Sequence, residues 1–479
     1  MTSEEPRKKP AAVSEGQEGG SLYAAHKKIY PRSASGVFNR WRWFLVFATQ
    51  LFFYGMPWLQ WGDRPAMLFD LEARRFYIFG LVLYPQDVIY LSGILIISAV
   101  LLFLFTAVAG RQWCGYACPQ TVYTEIYLWI ERVIEGDRSA RMRLDAAPMS
   151  PAKFARKAAK QAVWIAVGLW TGITFAGFFT PIRELVMHVA TWSLGPWQTF
   201  WIFFYGFATY GNAGYMREQV CLYMCPYARF QSAMFDRDTL IVTYDAKRGE
   251  PRGPRSKKAD YKTLGLGECV NCTLCVQVCP TGIDIRDGLQ YQCISCAACI
   301  DACDEVMDKV GYPRGLIRYS TEHALEEGWD SKQIVRHILR PRVLIYSSIL
   351  GLVMLALVGS LFLRKPFRVD IVRDRAALAR IVQGNKIENI FRLQIMNATE
   401  KPQTYTLSAD GLPGLELVID TQQNHRVTVD AAQSLWVPVR LQAPYDAAPP
   451  GSHEIHFYIE SPGGEVLKEK SVFIIPKSS

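Results

Sequence analysis

Twelve cysteines, all between positions 114 and 303, are the residues of this 479-residue chain best equipped for chemistry. Eight of them fall in two runs, "CVNCTLCVQVCP" at 269–280 and "CISCAACIDAC" at 293–303, each spaced C-x2-C-x2-C-x3-C. A tight loop with a thiolate every third residue can cover three corners of an iron–sulfur cubane, while a fourth thiolate, three residues on, points away. The other four form two C-x3-C-P pairs: Cys114 and Cys118 before Pro119, and Cys221 and Cys225 before Pro226, 107 positions later. On a helix, positions i and i+4 share a face, about 5–6 Å between Cβ atoms, and the following proline should bend or end the helix. Two thiolates per pair, or four if the pairs pack together, could converge on one soft ion; thiolate is the preferred donor for Cu(I). Cysteines simply packed between helices, or a redox disulfide strained by i,i+4 geometry, are the competing readings.

The spacing of the two runs resembles that of bacterial ferredoxins binding two [4Fe–4S] clusters. Carried over, the ferredoxin pattern implies that Cys269, Cys272, Cys275 and Cys303 hold one cluster, and Cys293, Cys296, Cys299 and Cys279 the other. Pro280 follows Cys279 as in ferredoxins, but Asp304 stands where a second proline is expected, which could alter the local turn without removing a ligand. Zinc on the same thiolates is the alternative, although zinc knuckles pair C-x2-C units across longer gaps. The last 176 residues hold no cysteine, so the clustering favours ligands in a reducing compartment over a disulfide scaffold. Of seven histidines, only His188 lies near an apolar stretch, so paired axial ligands for b-type haem are missing. His188 with Met187 and Glu184 reads as surface loop before it reads as an outer metal site, and Met224 beside Cys225 as core filler before ligand.

The elements that must position these thiols are largely apolar. Half of the chain is hydrophobic, with a mean hydropathy of +0.05 despite 20% charged residues. Five stretches approach the ~20 apolar residues needed to cross a bilayer: 42–61, 88–110, 162–180, 197–211 and 343–363. Lys and Arg number eight through Arg42, three in 62–87, nine in 111–161 and one, Arg183, in 181–196. The positive-inside rule then sets the N-terminus, 111–161 and 212–342 in the cytoplasm and exports the C-terminus. Every cysteine falls on the cytoplasmic side. A net charge of +9 fits retention signals and anionic lipid rather than nucleic acid. The stretch after Cys118, "TVYTEIYLWIERVIEGDR", is expected to lie along the cytoplasmic interface. From about 365, short period-two runs ("FRLQI", "LWVPVRL" with Leu435, Val437, Val439 and Leu441 inward, "IHFYI") alternate with turn clusters, as in an immunoglobulin-like sandwich without its disulfide. His453 and His456 read as solvent-facing residues of a strand edge, and the sequon at Asn397 as chance.

The fold class expected is a multi-domain membrane protein: an α-helical bundle of five spans, an inserted 2[4Fe–4S] ferredoxin-like domain and a C-terminal all-β immunoglobulin-like sandwich. Its parts are a disordered cytoplasmic tail (1–36), a four-helix transmembrane region with the first C-x3-C-P (37–211), a cytoplasmic segment with the second pair and a basic linker (212–258), the ferredoxin-like domain (259–312), a connector (313–342), a fifth transmembrane helix (343–363) and a periplasmic domain (364–479).

With "WCGYACPQTVYTEIYLWIER", "CLYMCPYARFQSAMFD", the block 269–303, a fifth span and an exported sandwich in this order, the chain resembles the cytochrome c oxidase accessory protein family CcoG, also called FixG or RdxA. The resemblance covers nearly everything beyond residue 36. It implies a multi-pass protein of the bacterial inner membrane that reduces Cu(II) to Cu(I) during assembly of cbb-type cytochrome c oxidase. Cys114, Cys118, Cys221 and Cys225 would then handle copper as catalytic and metal-binding residues. Oxidase subunits or copper chaperones, membrane lipid and an electron donor of unknown identity would be the partners. Two alternatives stand beside it. One is a polyferredoxin-like relay from quinol to a partner reductase, though no redox centre is visible in the exported domain. The other is a scaffold whose clusters only stabilise it.

Overall fold

The computed structural model describes residues 28–256, 261–374, 379–419 and 425–476. The expected tail over 1–27 and the end of the basic linker lie outside them. The first part of the chain is helical: α1 (Val37–Gly55), α2 (Val88–Ala109), α3 (Gln112–Tyr116), α4 (Pro119–Glu135), α5 (Arg138–Ala146), α6 (Pro151–Ala176), α7 (Ile182–Ala190), α8 (Pro196–Thr209) and α9 (Pro226–Met234). Four of these start on proline, whose missing N–H costs nothing in a first turn. Each of the five apolar stretches contains a helix: the second is helical from 88 to 109 and the fifth from 341 to 362, close to their expected bounds, and the other three only in part. The first helix stops at Gly55, and the chain turns through Pro57 into strands β1 (Gln60–Trp61) and β2 (Arg64–Pro65). The fourth gives way at Tyr210 to a π-helical turn, Tyr210–Met216.

Among the described residues, two helices are long and apolar enough to cross a membrane, Pro85–Ala109 and Pro341–Phe362. They lie side by side, with the Tyr90 hydroxyl donating to the Ser360 carbonyl at 3.2 Å. Helices α6 and α8 approach through small residues: a Cβ on Gly172 would sit 2.1 Å from the Ile202 carbonyl oxygen.

Strands β3 (Met67–Asp70), β4 (Arg75–Ile78) and β5 (Leu81–Leu83) form a meander between α1 and α2. It packs against the C-terminal domain through Leu68, Tyr77, Val82, Tyr84 and Met396. Buried Asp87 adds ion pairs to Arg364 at 2.6 Å and Arg368 at 2.8 Å.

The iron–sulfur runs lie in a module closed by β6 (Ile241–Tyr244) and β7 (Ile317–Ser320), which pair antiparallel. It contains the one-turn α10 (Ala246–Gly249), α11 (Leu274–Val278) and α12 (Ala298–Val310). Helices α13 (Glu322–Glu327) and α14 (Ser331–His337) lead to α15 (Pro341–Phe362).

The C-terminal domain is the sandwich expected. One sheet is ordered β12 (Glu416–Val418), β14 (Ser434–Pro444), β10 (Lys386–Asn397), β8 (Phe367–Arg373), with β9 (Arg380–Val382) also on β10. The other is β13 (Arg426–Val429), β11 (Gln403–Asp410), β15 (Gly451–Glu460), β16 (Val466–Ile475). Phe391, Leu393, Ile395, Ile455, Phe457 and Ile459 are all fully buried between the sheets. Leu435 departs from its expected inward place. It is in phase, opposite Ile395, but sits at the start of its strand and is 40% exposed. Strand β15 is internal rather than an edge, since β11 and β16 flank it. The buried amide of Asn397 donates to three carbonyls, a structural role that explains the sequon without glycan.

Two further expectations need correction. Residues 28–36 are not a loose tail but a strap: Ser33 donates to Asp137, Arg32 N–H to the Gln277 carbonyl, and Lys28 and Tyr30 to Asp145. Helix α4, expected along the interface, is wedged against α6 on one face, burying Glu125, Tyr127, Ile130, Glu131 and Glu135, and leaves Trp129 and Val133 exposed on another. Its carboxylates are answered by buried cations, Glu131 by Arg141 at 2.8 Å and Arg217 at 2.9 Å, Glu135 by Lys160 at 3.0 Å. Such pairing is what permits charge in an interior.

Candidate metal centres

The two cysteine runs fold alike. In each, the residues flanking the middle cysteine take positive φ: Asn271 (53°) and Thr273 (57°) in the first, Ser295 (54°) and Ala297 (60°) in the second. Left-handed backbone costs a non-glycine residue roughly 1–2 kcal/mol, and it persists where the surroundings over-determine it. Alternating hand turns successive N–H groups inward, the concave arrangement that receives anionic iron–sulfur sites.

Two neighbouring cavities result. Cage I is lined by Cys269, Cys272, Cys275 and Cys303 together with Tyr244 and Arg286. Cage II is lined by Cys279, Cys293, Cys296 and Cys299, with Cys275 on the shared wall. The fourth cysteine of each run thus crosses to the other cavity, the exchange implied by the ferredoxin resemblance. Among the described residues, no three Cys, His, Asp or Glu groups gather closely enough to hold a single metal ion. That argues against zinc, whose sulfur ligands sit at ~2.3 Å from one centre. It suits a larger group that holds thiolates apart. The donor set and the strained loops therefore fit two four-iron groups.

The absent second proline has a visible effect. Cys279 ends α11 and Pro280 turns the chain away. At Cys303 the helix runs on to Val310, and the Asp304 carboxylate accepts the Gly315 N–H at 3.0 Å, tying the following loop down.

The C-x3-C-P pairs are not on continuous helices, contrary to the i,i+4 expectation. Cys114 belongs to α3, which ends at Tyr116; Cys118 is extended (φ −61°, ψ 129°) and precedes α4. Cys225 repeats this (φ −83°, ψ 107°) before α9, and Cys221 lies in a π-helical turn, Val220–Met224. The cause is steric: a residue before proline is pushed out of the α region. Between the two π-helical turns, Arg217 adopts φ 42°, held by Glu131. Such turns are frequent at functional sites.

None of the four thiols is in a disulfide. Burial, together with Cys118, pushes Cys114 up to about 12, and burial, together with Cys118 and Cys225, pushes Cys221 up to about 11. The quartet therefore forms one electrostatic neighbourhood, in which an uncompensated thiolate is disfavoured and a bound cation would be welcome. Gln231 of α9 accepts from the Cys114 thiol at 3.4 Å, joining the two motifs.

The first motif also touches cage II. Cys114 packs in the same apolar cluster as Cys296 and Cys299. A Cβ on Gly115 would lie 2.7 Å from the Ile294 carbonyl oxygen and 2.8 Å from Cys296 Cα, so only glycine fits this seam. Arg42 of α1, ion-paired to Glu125 at 2.6 Å, supplies positive charge near Cys296. Asp301 of α12 accepts the Phe38 and Asn39 N–H groups at 3.2 and 2.7 Å, capping α1. Glu184, Met187 and His188 lie on α7 and form no metal-binding group among the described residues. Met224 is 55% exposed and so is not core filler. Arg42, Glu125, Gln231 and Asp301 were not singled out from sequence; the one available signal was a charge, Arg42, at the mouth of an apolar run.

Comparison with known proteins agrees with these parts. A 4Fe-4S dicluster domain matches residues 216–322, a 4Fe-4S binding domain matches 91–135, and the immunoglobulin-like fold found at the C-terminal end of FixG matches 357–476. "Nitrogen fixation protein FixG" of Rhizobium meliloti is 38% identical over 457 residues, covering 88% of this chain and 87% of its own length. Two proteins of Cereibacter sphaeroides are also similar: RdxB at 39% identity, covering 88% of this chain and 90% of its own, and RdxA at 37%, covering 89% and 92%.

Proposed function

We propose, from the premise that this chain belongs to the FixG family of 4Fe-4S proteins, that it is a membrane oxidoreductase reducing Cu(II) to Cu(I) for assembly of cbb-type cytochrome c oxidase. The observation that carries this reading is the packing of Cys114 against the apolar cluster that contains Cys296, with Gly115 seated on the 294–296 backbone, which gives an electron a short path from cage II to a soft-donor site. When bound, the two four-iron groups supply one-electron storage. Cys269, Cys272, Cys275 and Cys303 would hold one, and Cys279, Cys293, Cys296 and Cys299 the other. Copper is the substrate, taken up by Cys114, Cys118, Cys221 and Cys225, whose sulfur donors favour the reduced ion over the oxidised one. One electron converts one Cu(II) to one Cu(I). No polypeptide bond changes, and no general acid or base is needed.

In this reading α1, α2, α6, α8 and α15 are five spans of the inner membrane, with the cysteines cytoplasmic and the sandwich periplasmic. The packing of the 60–84 segment on the sandwich supports this sidedness, since both were expected outside. The test is Cu(I) formation by anaerobically purified, dithionite-reduced protein freed of excess reductant. Cys114→Ala with its iron retained should lose it; unchanged Cu(I) formation would refute the thiol role.

A second reading has its own support. The 4Fe-4S match over 91–135 includes Cys114 and Cys118, and the quartet lacks single-ion spacing among the described residues. A third four-iron group there would give about twelve irons per chain rather than about eight.

A further inference from the structure

Among the described residues, three arginines are buried as whole residues: Arg42 (6%), Arg111 (4%) and Arg141 (3%). Arg42 is paired with Glu125 and Arg141 with Glu131. Arg111 has no carboxylate partner among the described residues. Its two terminal nitrogens donate to the carbonyls of Tyr291 and Ala228, its plane lies 4.7 Å from the Tyr291 ring centroid, and its Nε has no partner. Carbonyl dipoles and a ring face stabilise a guanidinium only partly. A buried full charge left without a counter-ion is costly enough that proteins rarely keep one.

The surroundings show what the missing counter-charge is. Tyr291 stands two residues before Cys293 of cage II, and Ala228 three residues after Cys225 of the quartet. Arg111 itself stands three residues before Cys114. The guanidinium therefore sits between cage II and the quartet, the two places where negative charge would collect on metal-bound thiolates. Cage I differs. The guanidinium that lines it, Arg286, is bound by Asp284 at 2.5 Å, and Arg255, which donates to the carbonyls of Glu268 and Cys269, is only half-buried.

We infer that Arg111 is a positioning residue for electrons: its fixed charge stabilises the added electron at cage II and then at the quartet, and so gives transfer its direction, from cage I through cage II to the copper substrate. This rests on the function proposed above. The step balances simply. One electron leaves the reduced iron–sulfur group of cage II, which returns to its oxidised form, and one Cu(II) becomes Cu(I).

The experiment is an EPR-monitored potentiometric titration of the whole protein in detergent, with iron analysis, on wild type, Arg111→Gln and Arg111→Lys. Glutamine keeps a hydrogen-bond donor without charge; lysine keeps the charge. The higher of the two iron–sulfur midpoints should fall in Arg111→Gln and be largely restored in Arg111→Lys. Cu(I) formation in Arg111→Gln should slow by roughly tenfold. Unchanged midpoints in Arg111→Gln with full iron would overturn the inference. Should that variant not retain iron, Tyr291→Glu decides, because it sets a carboxylate on the guanidinium without removing it. The same downward displacement supports the role, and an unmoved midpoint refutes it. Wild-type protein that forms no Cu(I) at all would instead sink the functional reading, whatever the midpoints do.

Discussion

Cage I and cage II share one spacing of cysteines and one set of positive-φ turns, yet their surroundings differ. Cage I keeps Cys272 exposed and its neighbouring Arg286 neutralised by Asp284. Cage II lies beneath α1 and α3, beside the Arg42–Glu125 pair, the Gly115 seam and Arg111. The same local code has thus been set in two dielectric environments. On the function proposed above, the outer cage would meet the donor and the inner cage would hand charge to the quartet. What separates them is packing from distant parts of the chain, not the ligands themselves.

The sharpest way to break this comparison is to remove a thiol of the inner cage. Cys296→Ala should lose about four of eight irons and abolish Cu(I) formation, measured by iron analysis and low-temperature EPR; Cu(I) formation at the wild-type rate would mean that electrons bypass cage II. Next in size is the seam. Gly115→Ala must push apart α3 and the 294–296 loop, and Cu(I) formation should fall about tenfold while iron is retained. Leu222→Ala, at the matching place in the second motif, should change the rate less than about twofold, because most single substitutions away from such contacts are mild. Equal losses in the two variants would show that the motifs are interchangeable.

A smaller effect is expected from the cap. Asp301→Ala removes the acceptor for two α1 amides and should cost about 1 kcal/mol, seen as faster hydrogen exchange at Phe38 and Asn39. Unchanged exchange would mean that α1 is fixed by the Arg42–Glu125 pair alone. The smallest concerns the strap at 28–36. Partial burial pushes the Asp145 carboxyl up, but hydrogen bonds from Lys157, Lys28 and Tyr30 outweigh it and hold the group well below the usual carboxylate range. A depressed carboxylate contributes stability above its unfolded value, lost as pH falls through the folded one. Protease cleavage at Lys28 should therefore stay slow from neutrality down to about pH 4 and quicken only in stronger acid. A rise beginning near neutrality would implicate another group.

Much of this architecture was legible in the residues. Ligand spacing marked both cages because cubane geometry leaves few alternatives, and period-two runs marked the sandwich because its core faces alternate strictly at Phe391, Leu393 and Ile395. What escaped reading depended on partners far along the chain. Cys114 and Cys118 looked like one helical face because spacing was weighed above the effect of Pro119 on the residue before it. Residues 28–36 are polar and looked free, yet Asp137, Asp145 and Gln277 hold them. Leu435 has the right phase but too early a place in its strand. Arg111 counted as one basic residue among nine in its loop, and nothing local distinguishes it. Its lack of a carboxylate appears only once the chain is folded.

The bond from Asp301 to the start of α1 closes a gap of 262 or 263 residues. During synthesis the first helix emerges with its leading amides unanswered, and they stay so until the second cysteine run has been translated. The oldest part of the molecule is finished by one of its later parts. Final seating of the N-terminus therefore reports that the iron-binding segment has arrived and folded.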